Sequence, residues 1–478
     1  MARRRRRPRR LPTLIVLGLV FMAVASRQLD APRQRAAAVV LPGNPEVRAD
    51  ATSASWFCPG GTAVPQGIAN VTVNIANVGS APSSVTLTTA PTSGAPVSAH
   101  YTVAASSRLD INLATLGAAP FVSASVETDG GEIVVEQSVN GSLGADIAPC
   151  ATSASQHWSI ATASTARDDA FLVFLYNPFP EAAVADIAVS DTPLSASGVA
   201  VAARKPGGLQ GISVPARSLI VSNLGDSVRR QDELAITVST RTGRLIAGRV
   251  QAYNAEQRRG LLAGPGVPAT SSLWVFPANL VSASSVEVLH LYNPDPDNES
   301  VVEVSSVLDS GLVEPQVLTV PAGGHLVVNV NDAKRIPPDI PHTLLVRRFG
   351  GVPLIAERVL ARPGDALIGS VGLVRGAKTW TMSTVGGLPG AQLALVNLST
   401  SASATVTITS LAGGVASPVG SVTLKPGRRI VFSNPALTAA TASAVKVVSN
   451  TPIAVERVVN GPTGPLTLAP AVPIVASP

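Results

Sequence analysis

The chain has 478 residues, enough for three or four domains, and 14% of them are charged. Its formal net charge of +6 arises at the N-terminus, because residues 1–25 carry seven of the 36 Lys and Arg residues and no acidic residue; the remainder holds 29 basic and 30 acidic residues. This balance argues against a nucleic-acid-binding face. Val, Thr, Gly and Pro are abundant, and such a composition predicts an all-β chain.

An apolar segment follows the N-terminal arginines. Leu11–Ala25 has 15 residues, fewer than the roughly 20 of a usual membrane-spanning helix. Small residues at Ala23-Val24-Ala25 precede Ser26, and this pattern predicts a secretory signal peptide. If it is not cleaved, the segment forms an N-terminal apolar helix that anchors the chain in the membrane. In both cases the arginines stay in the cytoplasm and the rest of the chain is extracytoplasmic.

Two rare residues mark a repeat in the rest of the chain. The tryptophans are Trp56, Trp158, Trp274 and Trp380, at intervals of 102, 116 and 106 residues. Each is followed by an asparagine that closes an apolar run, and these are Asn77, Asn177, Asn293 and Asn397. A fixed period with one rare residue per unit indicates repeated domains. We expect the tryptophans to mark the cores and the asparagines to mark turns.

Three blocks of alternating apolar and polar residues recur in each unit. In the second unit they cover residues 170–190, 212–224 and 234–250. Each block has a polar turn at its middle, and this pattern predicts a β-hairpin. Asparagine suits the first turn because its side chain can bond the backbone and tolerates a positive φ. Six or more strands in about 105 residues predict an antiparallel sandwich.

The predicted fold is therefore all-β: an N-terminal apolar helix and then a tandem array of about four Ig-like antiparallel β-sandwich units, each with its own core. A β-propeller-like closed assembly is the alternative, with about four strands per unit. The predicted segments are 1–25 (signal peptide or membrane anchor), 26–52 (tether), and the β repeats 53–150, 151–266, 267–372 and 373–478.

The two cysteines, Cys58 and Cys150, lie at the start and end of the first repeat. In an exported chain, an even number of cysteines predicts a disulfide. Two buried thiols are the alternative. No histidine lies nearby at zinc-ligand spacing, and so a metal site is not expected there.

The blocks resemble repeats of bacterial surface proteins in which a Trp-led strand precedes three short motifs. These are Leu-x-Asn-Pro at 175–178 and 291–294, Val-Pro-Ala at 214–216 and 320–322, and Ala-Glu-Arg at 356–358. With its Arg-rich N-terminus and Trp56-Phe57-Cys58-Pro59, the chain resembles an actinobacterial family of exported proteins of unknown function. The second repeat departs from the third motif at Gly248-Arg249 and the first at Glu136-Gln137. The resemblance implies no substrate or active site.

Residues that could carry chemistry are scattered. The histidines are His100, His157, His290, His325 and His342, with no pair at ligand spacing. Gly225-Asp226-Ser227 resembles the start of an esterase block, but its place after a strand favours a loop. The loop 293–299 has three carboxylates, as a calcium site would. The matching loops lack them, and this favours a solvated turn.

Glu357-Arg358 and Glu456-Arg457 recur one repeat apart. Adjacent residues on a strand point to opposite faces, so we expect one side chain to be ion-paired or to cover an edge and the other to be solvated. A role at a domain junction is the alternative. No catalytic, cofactor-binding or metal-binding residue is predicted.

The predicted function is that of a non-enzymatic, extracytoplasmic structural or interaction protein of the cell envelope, either tethered or secreted. Its predicted partners are the membrane, through an uncleaved N-terminal segment, and an unknown envelope protein or cell-wall component; nucleic acid is not expected. A cell-wall polysaccharide- or peptide-binding adhesin is one alternative. An exported hydrolase is another, and it would need acidic, basic or nucleophilic residues gathered in one cleft.

Overall fold

The computed structural model describes residues 44–190, 203–255, 258–280, 285–332, 336–361, 366–383, 390–437, 443–460 and 465–475. These residues form strands and short 3-10 helices, as the all-β prediction requires, and no α-helix. The predicted fold class as a whole is nevertheless wrong, because the described residues contain no apolar helix and the units are not independent Ig-like sandwiches. Segment 1–25, where that helix was predicted, lies outside the described residues. Among those described, no helix is long and apolar enough to cross a membrane.

The strands fall into four repeats. Repeat 1 contains β2 Ser53–Ala63, β3 Asn70–Asn77, β4 Ser83–Pro91, β5 Ser98–Val103, β6 Ser107–Asn112, β7 Ala119–Asp129, β8 Ile133–Gly141 and β9 Gly144–Pro149. Repeat 2 contains β10 His157–Ala163, β11 Ala170–Asn177, β12 Ala183–Ser190, β13 Ile212–Val214, β14 Ser218–Asn223, β15 Leu234–Thr242, β16 Ile246–Ala255 and β17 Arg258–Pro265.

Repeats 3 and 4 follow the same order, with an added short strand in each. Repeat 3 contains β18 Leu273–Leu280, β19 Val286–Tyr292, β20 Ser300–Leu308, β21 Gly311–Leu312, β22 Gln316–Val320, β23 His325–Asn329, β24 Pro341–Gly351, β25 Ile355–Ala361 and β26 Ile368–Val371. Repeat 4 contains β27 Ala377–Met382, β28 Ala391–Asn397, β29 Ala404–Ala412, β30 Val415–Leu424, β31 Arg429–Phe432, β32 Ala444–Asn460, β33 Pro465–Pro470 and β34 Val472–Val475.

Two elements complete the description. Strand β1, Val47–Arg48, precedes repeat 1. The 3-10 helices are Leu113–Thr115, Gly207–Leu209, Leu224–Asp226, Val330–Asp332 and Pro435–Leu437.

Each repeat encloses its core between two sheets. In repeat 2 the first sheet has the strand order β10-β15-β12-β13 and the second has β14-β11-β16-β17. The other repeats reproduce both orders, and in repeat 4 the long strand β32 serves both sheets. An immunoglobulin domain keeps its first two strands in one sheet. Here β10 and β11 lie in opposite sheets, so the Ig-like assignment is wrong.

The predicted hairpins are also wrong. The two strands of each block belong to different sheets, as β11 and β12 do, and the polar turn between them is an arch that crosses the edge of the core. Apolar alternation is the same for a hairpin and for an arch, because in both cases one face of each strand is buried. The pattern therefore predicts which side chains face inward but not which strands pair.

The marked asparagine holds two arches together. Asn177 is fully buried, and its Nδ2 donates to the carbonyls of Glu181 (2.7 Å), Val214 (3.2 Å) and Pro215 (3.0 Å). Its Oδ1 accepts a hydrogen bond from the Phe179 amide at 3.0 Å. Asn293 and Asn397 are also buried and make the same four bonds, and Asn77, equally buried, makes three of them. None of the four has a positive φ, so side-chain bonding explains the residue type at these turns.

We expect Asn177→Ala to lower the free energy of unfolding by about 2–3 kcal/mol, because buried backbone groups of both arches would lose their partner. Urea unfolding followed by tryptophan fluorescence measures the loss. Asn254 is exposed, and Asn254→Ala should stay within about 0.5 kcal/mol of wild type. Equal effects of the two substitutions would contradict this role.

The four repeats close on one another. The last strand of the second sheet of each repeat, which we call the axial strand (β9, β17, β26 and β33), packs against the axial strands of two other repeats, so that β33 of repeat 4 also contacts β9 of repeat 1. In addition, β1 pairs with β34 in parallel, with Val47 opposite Ile474. A string of independent units, as the sequence suggested, is wrong, since repeats 1 and 2 even share one apolar cluster. The closed alternative describes the connectivity better, with two sheets per unit in place of one.

Small side chains allow the axial strands to approach. The equivalent residues in the four axial strands are Ala148, Gly264, Ser370 and Ala469. A Cβ added to Gly264 would lie 2.7 Å from the Cβ of Ala148, which is closer than van der Waals contact. The residue types on these strands therefore permit closure of the ring.

Candidate functional site

Six charged side chains lie buried between the repeats. We call them the junction ring: Glu136, Arg249, Glu357, Arg358, Glu456 and Arg457. They come from β8, β16, β25 and β32, which occupy the same place in the four repeats. In each charged junction, the arginine of one repeat pairs with the glutamate of the following repeat, and repeat 4 pairs with repeat 1.

The junction between repeats 3 and 4 shows the full set of bonds. Arg358 Nη2 donates to Glu456 Oε1 at 2.7 Å, and Ser370 Oγ donates to the same oxygen at 2.8 Å. Glu456 Oε2 accepts from the amide of Ala278 at 2.9 Å. Arg358 Nη1 donates to Asn279 Oδ1 at 2.6 Å and to the carbonyl of Ala278. Both charges are thus paired and hydrogen-bonded, as burial requires.

The junction between repeats 2 and 3 repeats this arrangement. Arg249 Nη1 donates to Glu357 Oε2 at 2.6 Å and to the Thr162 carbonyl at 3.2 Å. Glu357 Oε1 accepts from the Ala161 amide at 3.2 Å, and Thr162 Oγ1 donates to its Oε2.

The junction between repeats 4 and 1 closes the ring with the same types of contact. Arg457 Nη1 and Nη2 donate to Glu136 at 3.2 and 3.3 Å. The Ser383 amide donates to Glu136 Oε2 at 2.8 Å. Residues 321 positions apart in sequence are therefore joined.

The junction between repeats 1 and 2 is neutral. Gln137 stands where the other repeats have arginine, and Gly248 stands where they have glutamate. Gln137 Nε2 donates to the Gly60 carbonyl at 3.4 Å, and its Oε1 accepts from the Gly60 amide at 2.9 Å. In the junctions between repeats 2 and 3 and between repeats 3 and 4, an arginine donates to a backbone carbonyl and a glutamate accepts from a backbone amide. The side-chain amide of Gln137 makes both of these contacts. The ring of Pro59 fills the place of the absent side chain, so that a Cβ on Gly248 would lie 2.3 Å from it.

We expect Gly248→Ala to lower the free energy of unfolding by about 1–3 kcal/mol, because the new methyl group overlaps Pro59. Pro59→Gly, which removes the Cβ that the methyl group would meet, should restore part of this loss in the double variant. Gly117→Ala is the control, since its Cβ would have no neighbour within 4 Å. If thermal unfolding shows no difference between Gly248→Ala and Gly117→Ala, the packing of this junction is not as described.

The solvent exposure predicted for the Glu–Arg pairs is wrong. One side chain of each pair was expected to be solvated, yet Glu357, Arg358, Glu456 and Arg457 are all buried. Both faces of β25 and β32 are covered, one by the core of the repeat and the other by the first strand of the preceding repeat. The departures at Glu136-Gln137 and Gly248-Arg249 compensate each other, because Gln137 and Gly248 lie at one junction.

The axial strands enclose a cavity of about 60 Å³ with a buried carboxylate, Asp146. Asp146 Oδ2 accepts from the Ala263 amide at 2.7 Å, and its Oδ1 accepts from the Ile147 amide at 2.9 Å and from Thr467 Oγ1 at 3.4 Å. Three repeats therefore meet at one side chain. Burial raises the pKa of Asp146 to about 7, against the opposing effects of these hydrogen bonds and of the Arg249 charge.

This pKa predicts a pH dependence. The folded protein binds the Asp146 proton more tightly than the unfolded chain, whose pKa is near 3.8. The resulting stability is fully present below the unfolded pKa and is lost as the pH rises to about 7. Relative to Asp146→Asn, which does not titrate there, wild type should lose stability between about pH 4 and pH 7. Guanidinium unfolding over that range tests this, and a constant difference would contradict it.

Two of the histidines meet on the paired strands β19 and β23 of repeat 3, and His290 Nδ1 lies 3.6 Å from Glu233 Oε2 of repeat 2. His290 Nδ1 lies 3.3 Å from His325 Nε2, with ring centroids 5.4 Å apart and planes at 18°. These distances place the rings edge to edge, as in an N–H···N hydrogen bond between neutral imidazoles. Burial lowers the pKa of His325 to about 4 and holds the pKa of His290 well below its usual value. The described residues contain no group of three or more side chains that could hold a metal ion.

The remaining predicted residues lie apart from one another. His342 Nε2 is 3.2 Å from Glu287 Oε2 inside repeat 3, and His100 and His157 are exposed. Asp226 lies in a 3-10 helix, and Asp295 caps its own exposed turn by accepting from the amides of Asp297 and Asn298.

The cysteine and tryptophan markers lie in the cores. Cys58 and Cys150 form a disulfide. All four tryptophans are buried. The indole N–H groups of Trp158, Trp274 and Trp380 donate to the carbonyls of Leu245, Leu354 and Ile453, each at 2.9 Å.

The fold and its junctions define an all-β protein of four two-sheet repeats joined in a closed series. Residues 132–324, less than half of the chain, match the model of a "Family of unknown function (DUF5719)". No curated protein matches.

Several solved structures match parts of the chain. One is a Thermotoga maritima structure, "Thermotoga maritima 1070", with 18% identity and a TM-score of 0.20 over 22% of this chain and 93% of that chain. Another is a "tetra-tandem repeat in extending region of large adhesion protein", with 13% identity and a TM-score of 0.10 over 85% of this chain and 96% of that chain. Similarities this weak carry no argument about fold or function.

Proposed function

We propose that the protein is a non-enzymatic, extracytoplasmic structural or interaction protein of the cell envelope, tethered or secreted. The observation that carries this proposal is the closed series of repeats. The buried charged residues, which a catalytic cleft would need, are paired with one another or bonded to backbone in the junctions. Their arrangement supports a rigid body that presents its outer surfaces to a partner.

The start and end of this body lie together, and this suits attachment through one tether. Strands β1 and β34 pair, and residues 1–43 precede them. The outer strands β5, β13, β22 and β30 each end a first sheet. Such edges can accept a strand from a partner, and we place recognition at these edges and their loops.

The extracytoplasmic location rests on two independent features. The Cys58–Cys150 disulfide is typical of oxidising compartments. The arginine run and the apolar segment up to Ala25 have the pattern of an export signal. The mass of the mature N-terminus decides between cleavage after Ala25 and a retained anchor.

Labelling of intact cells tests the location. A membrane-impermeant amine reagent should modify exposed lysines such as Lys205 and Lys425 in cells that express the full chain. A variant that lacks residues 1–25 should be labelled only after lysis, and it serves as the control. If the full chain also requires lysis, the proposed location is wrong.

The same purified protein tests the adhesin alternative. Sedimentation with purified peptidoglycan and with arabinogalactan measures wall binding directly. Specific retention by either polymer would favour a wall-binding adhesin, whereas a protein that stays in the supernatant while cross-linking to an envelope protein supports the proposal.

A further inference from the structure

A second cavity lies between repeats 3 and 4 and has a mainly apolar lining, which also includes Asn279 and Gln392. Its volume is about 100 Å³, and its walls include Leu280, Leu360, Val431, Val458 and Leu468. Arg429, at the start of β31, also lines it. An apolar pocket with one charged group is the usual form of a site for a small ligand.

One edge of the Arg429 guanidinium is unpaired. The side chain is 1% exposed, and its Nη1 donates to Asp309 Oδ1 at 2.9 Å and to the Pro341 carbonyl at 3.1 Å. Nε and Nη2 are buried and have no hydrogen-bond partner in the described part of the chain. These two groups form the edge that binds a carboxylate with two parallel hydrogen bonds. Leaving such donors unpaired in the interior is costly.

Repeat 1 shows what occupies this edge in the equivalent position. On the paired strands β3 and β6, Arg108 lies opposite Ala76, the residue before Asn77. Arg429 has the same position in repeat 4, because it lies opposite Val396, the residue before Asn397. Arg108 Nε and Nη2 donate to the two carboxylate oxygens of Asp110, both at 2.6 Å.

The partners of that carboxylate are missing in repeat 4. Asp110 also accepts from Asn74 Nδ2 at 2.7 Å. By strand register, Val431 and Ala394 take the places of Asp110 and Asn74. Ala394 belongs to the apolar cluster beside the cavity. Repeat 4 thus keeps the arginine and loses the carboxylate, and the same arginine lines an apolar cavity.

We propose that this cavity binds a short aliphatic monocarboxylate, whose carboxylate pairs with Arg429 Nε and Nη2 and whose alkyl chain lies against Val431, Val458 and Leu468. A cavity of about 150 Å³ accepts a benzene ring, so that the volume here suits roughly four to six non-hydrogen atoms. Butyrate has this size. Asp309 is exposed and contacts Arg429 only through Nη1, so it does not occupy the edge formed by Nε and Nη2.

Isothermal titration of the purified full chain with sodium butyrate tests the site. We expect saturable binding of one butyrate per chain, no saturable binding of the neutral analogue butyramide, and a rise in melting temperature with butyrate concentration. The neutral amide matches the shape of the acid, so it isolates the contribution of the carboxylate.

Three variants assign the binding to this cavity. Arg429→Gln should weaken butyrate binding about tenfold or more, since a charge-assisted pair is lost. Val431→Asp should abolish it while the protein stays folded, because the new carboxylate would take the edge as Asp110 does in repeat 1. Arg108→Gln is the matched control and should bind butyrate as wild type does.

Each other result overturns the proposal. If butyrate shows no saturable binding to wild type, or if Arg429→Gln binds butyrate as tightly as wild type does, the cavity is not a carboxylate site. Buried water then satisfies the Nε and Nη2 groups of Arg429. N-acetylalanine represents a peptide C-terminus and should bind more weakly than butyrate, because its amide would lie in the apolar lining. Tighter binding of N-acetylalanine would overturn the assignment to a free aliphatic acid.

Discussion

Replacing Glu456 with alanine should lower the free energy of unfolding by about 3–5 kcal/mol, the usual cost of removing one member of a buried ion pair. Arg358 would keep its burial and lose the carboxylate that lies 2.7 Å from its Nη2. Chemical denaturation followed by tryptophan fluorescence measures the change.

The neutral junction between repeats 1 and 2 suggests a test of whether the unpaired charge of Arg358 causes this loss of stability. Repeat 3 already has Pro277 three residues after its tryptophan, as repeat 1 has Pro59. The double substitution Arg358→Gln with Glu456→Gly therefore rebuilds the junction between repeats 1 and 2. It should be more stable than Glu456→Gly alone, because no buried charge is left unpaired. If the second substitution adds to the loss, the two residues do not act as a pair.

Removal of the disulfide should lower the stability by a similar amount. Cys58 and Cys150 are 92 residues apart, and a loop of this length corresponds to about 4.6 kcal/mol in the chain-entropy model. The double variant Cys58→Ala with Cys150→Ala avoids buried hydroxyl groups, and its midpoint in urea measures the effect.

The oxidation state supplies the control for that experiment. Reduced wild type should unfold at the same urea concentration as the double alanine variant, since neither has the covalent link. A double variant as stable as the oxidised protein would show that the disulfide does not contribute to stability.

Much of the strand content follows from the sequence. Alternating apolar residues and turn residues predict strands near their observed positions, and the recurrent Trp and Asn indicate the number of repeats. The pattern cannot distinguish a hairpin from an arch, because Phe171 and Ile187 face the same core in either arrangement. Strand pairing depends on long-range contacts that local alternation does not encode.

Closure of the repeats was harder to predict for a different reason. Glu136 and Arg457 are 321 residues apart, and nothing local marks them as partners. One signal was present: Gln137 and Gly248 depart from the Glu–Arg pattern together, in consecutive repeats. Gln137 removes a positive charge and Gly248 removes a negative charge. The joint loss of opposite charges indicates that the two positions form a pair across the repeats. Arg429 gave no signal, since its meaning depends on comparison with Arg108 and Asp110 in register.

Repeat 4 closes on repeat 1 through the contact between Glu136 and Arg457. A double-mutant cycle with Glu136→Gln and Arg457→Gln measures that contact alone, by the unfolding free energies of the four proteins. We predict a coupling energy of about 1–3 kcal/mol, as for residues in one buried network. Additive effects within about 0.3–0.5 kcal/mol, the result for residues that do not meet, would show that the series is open.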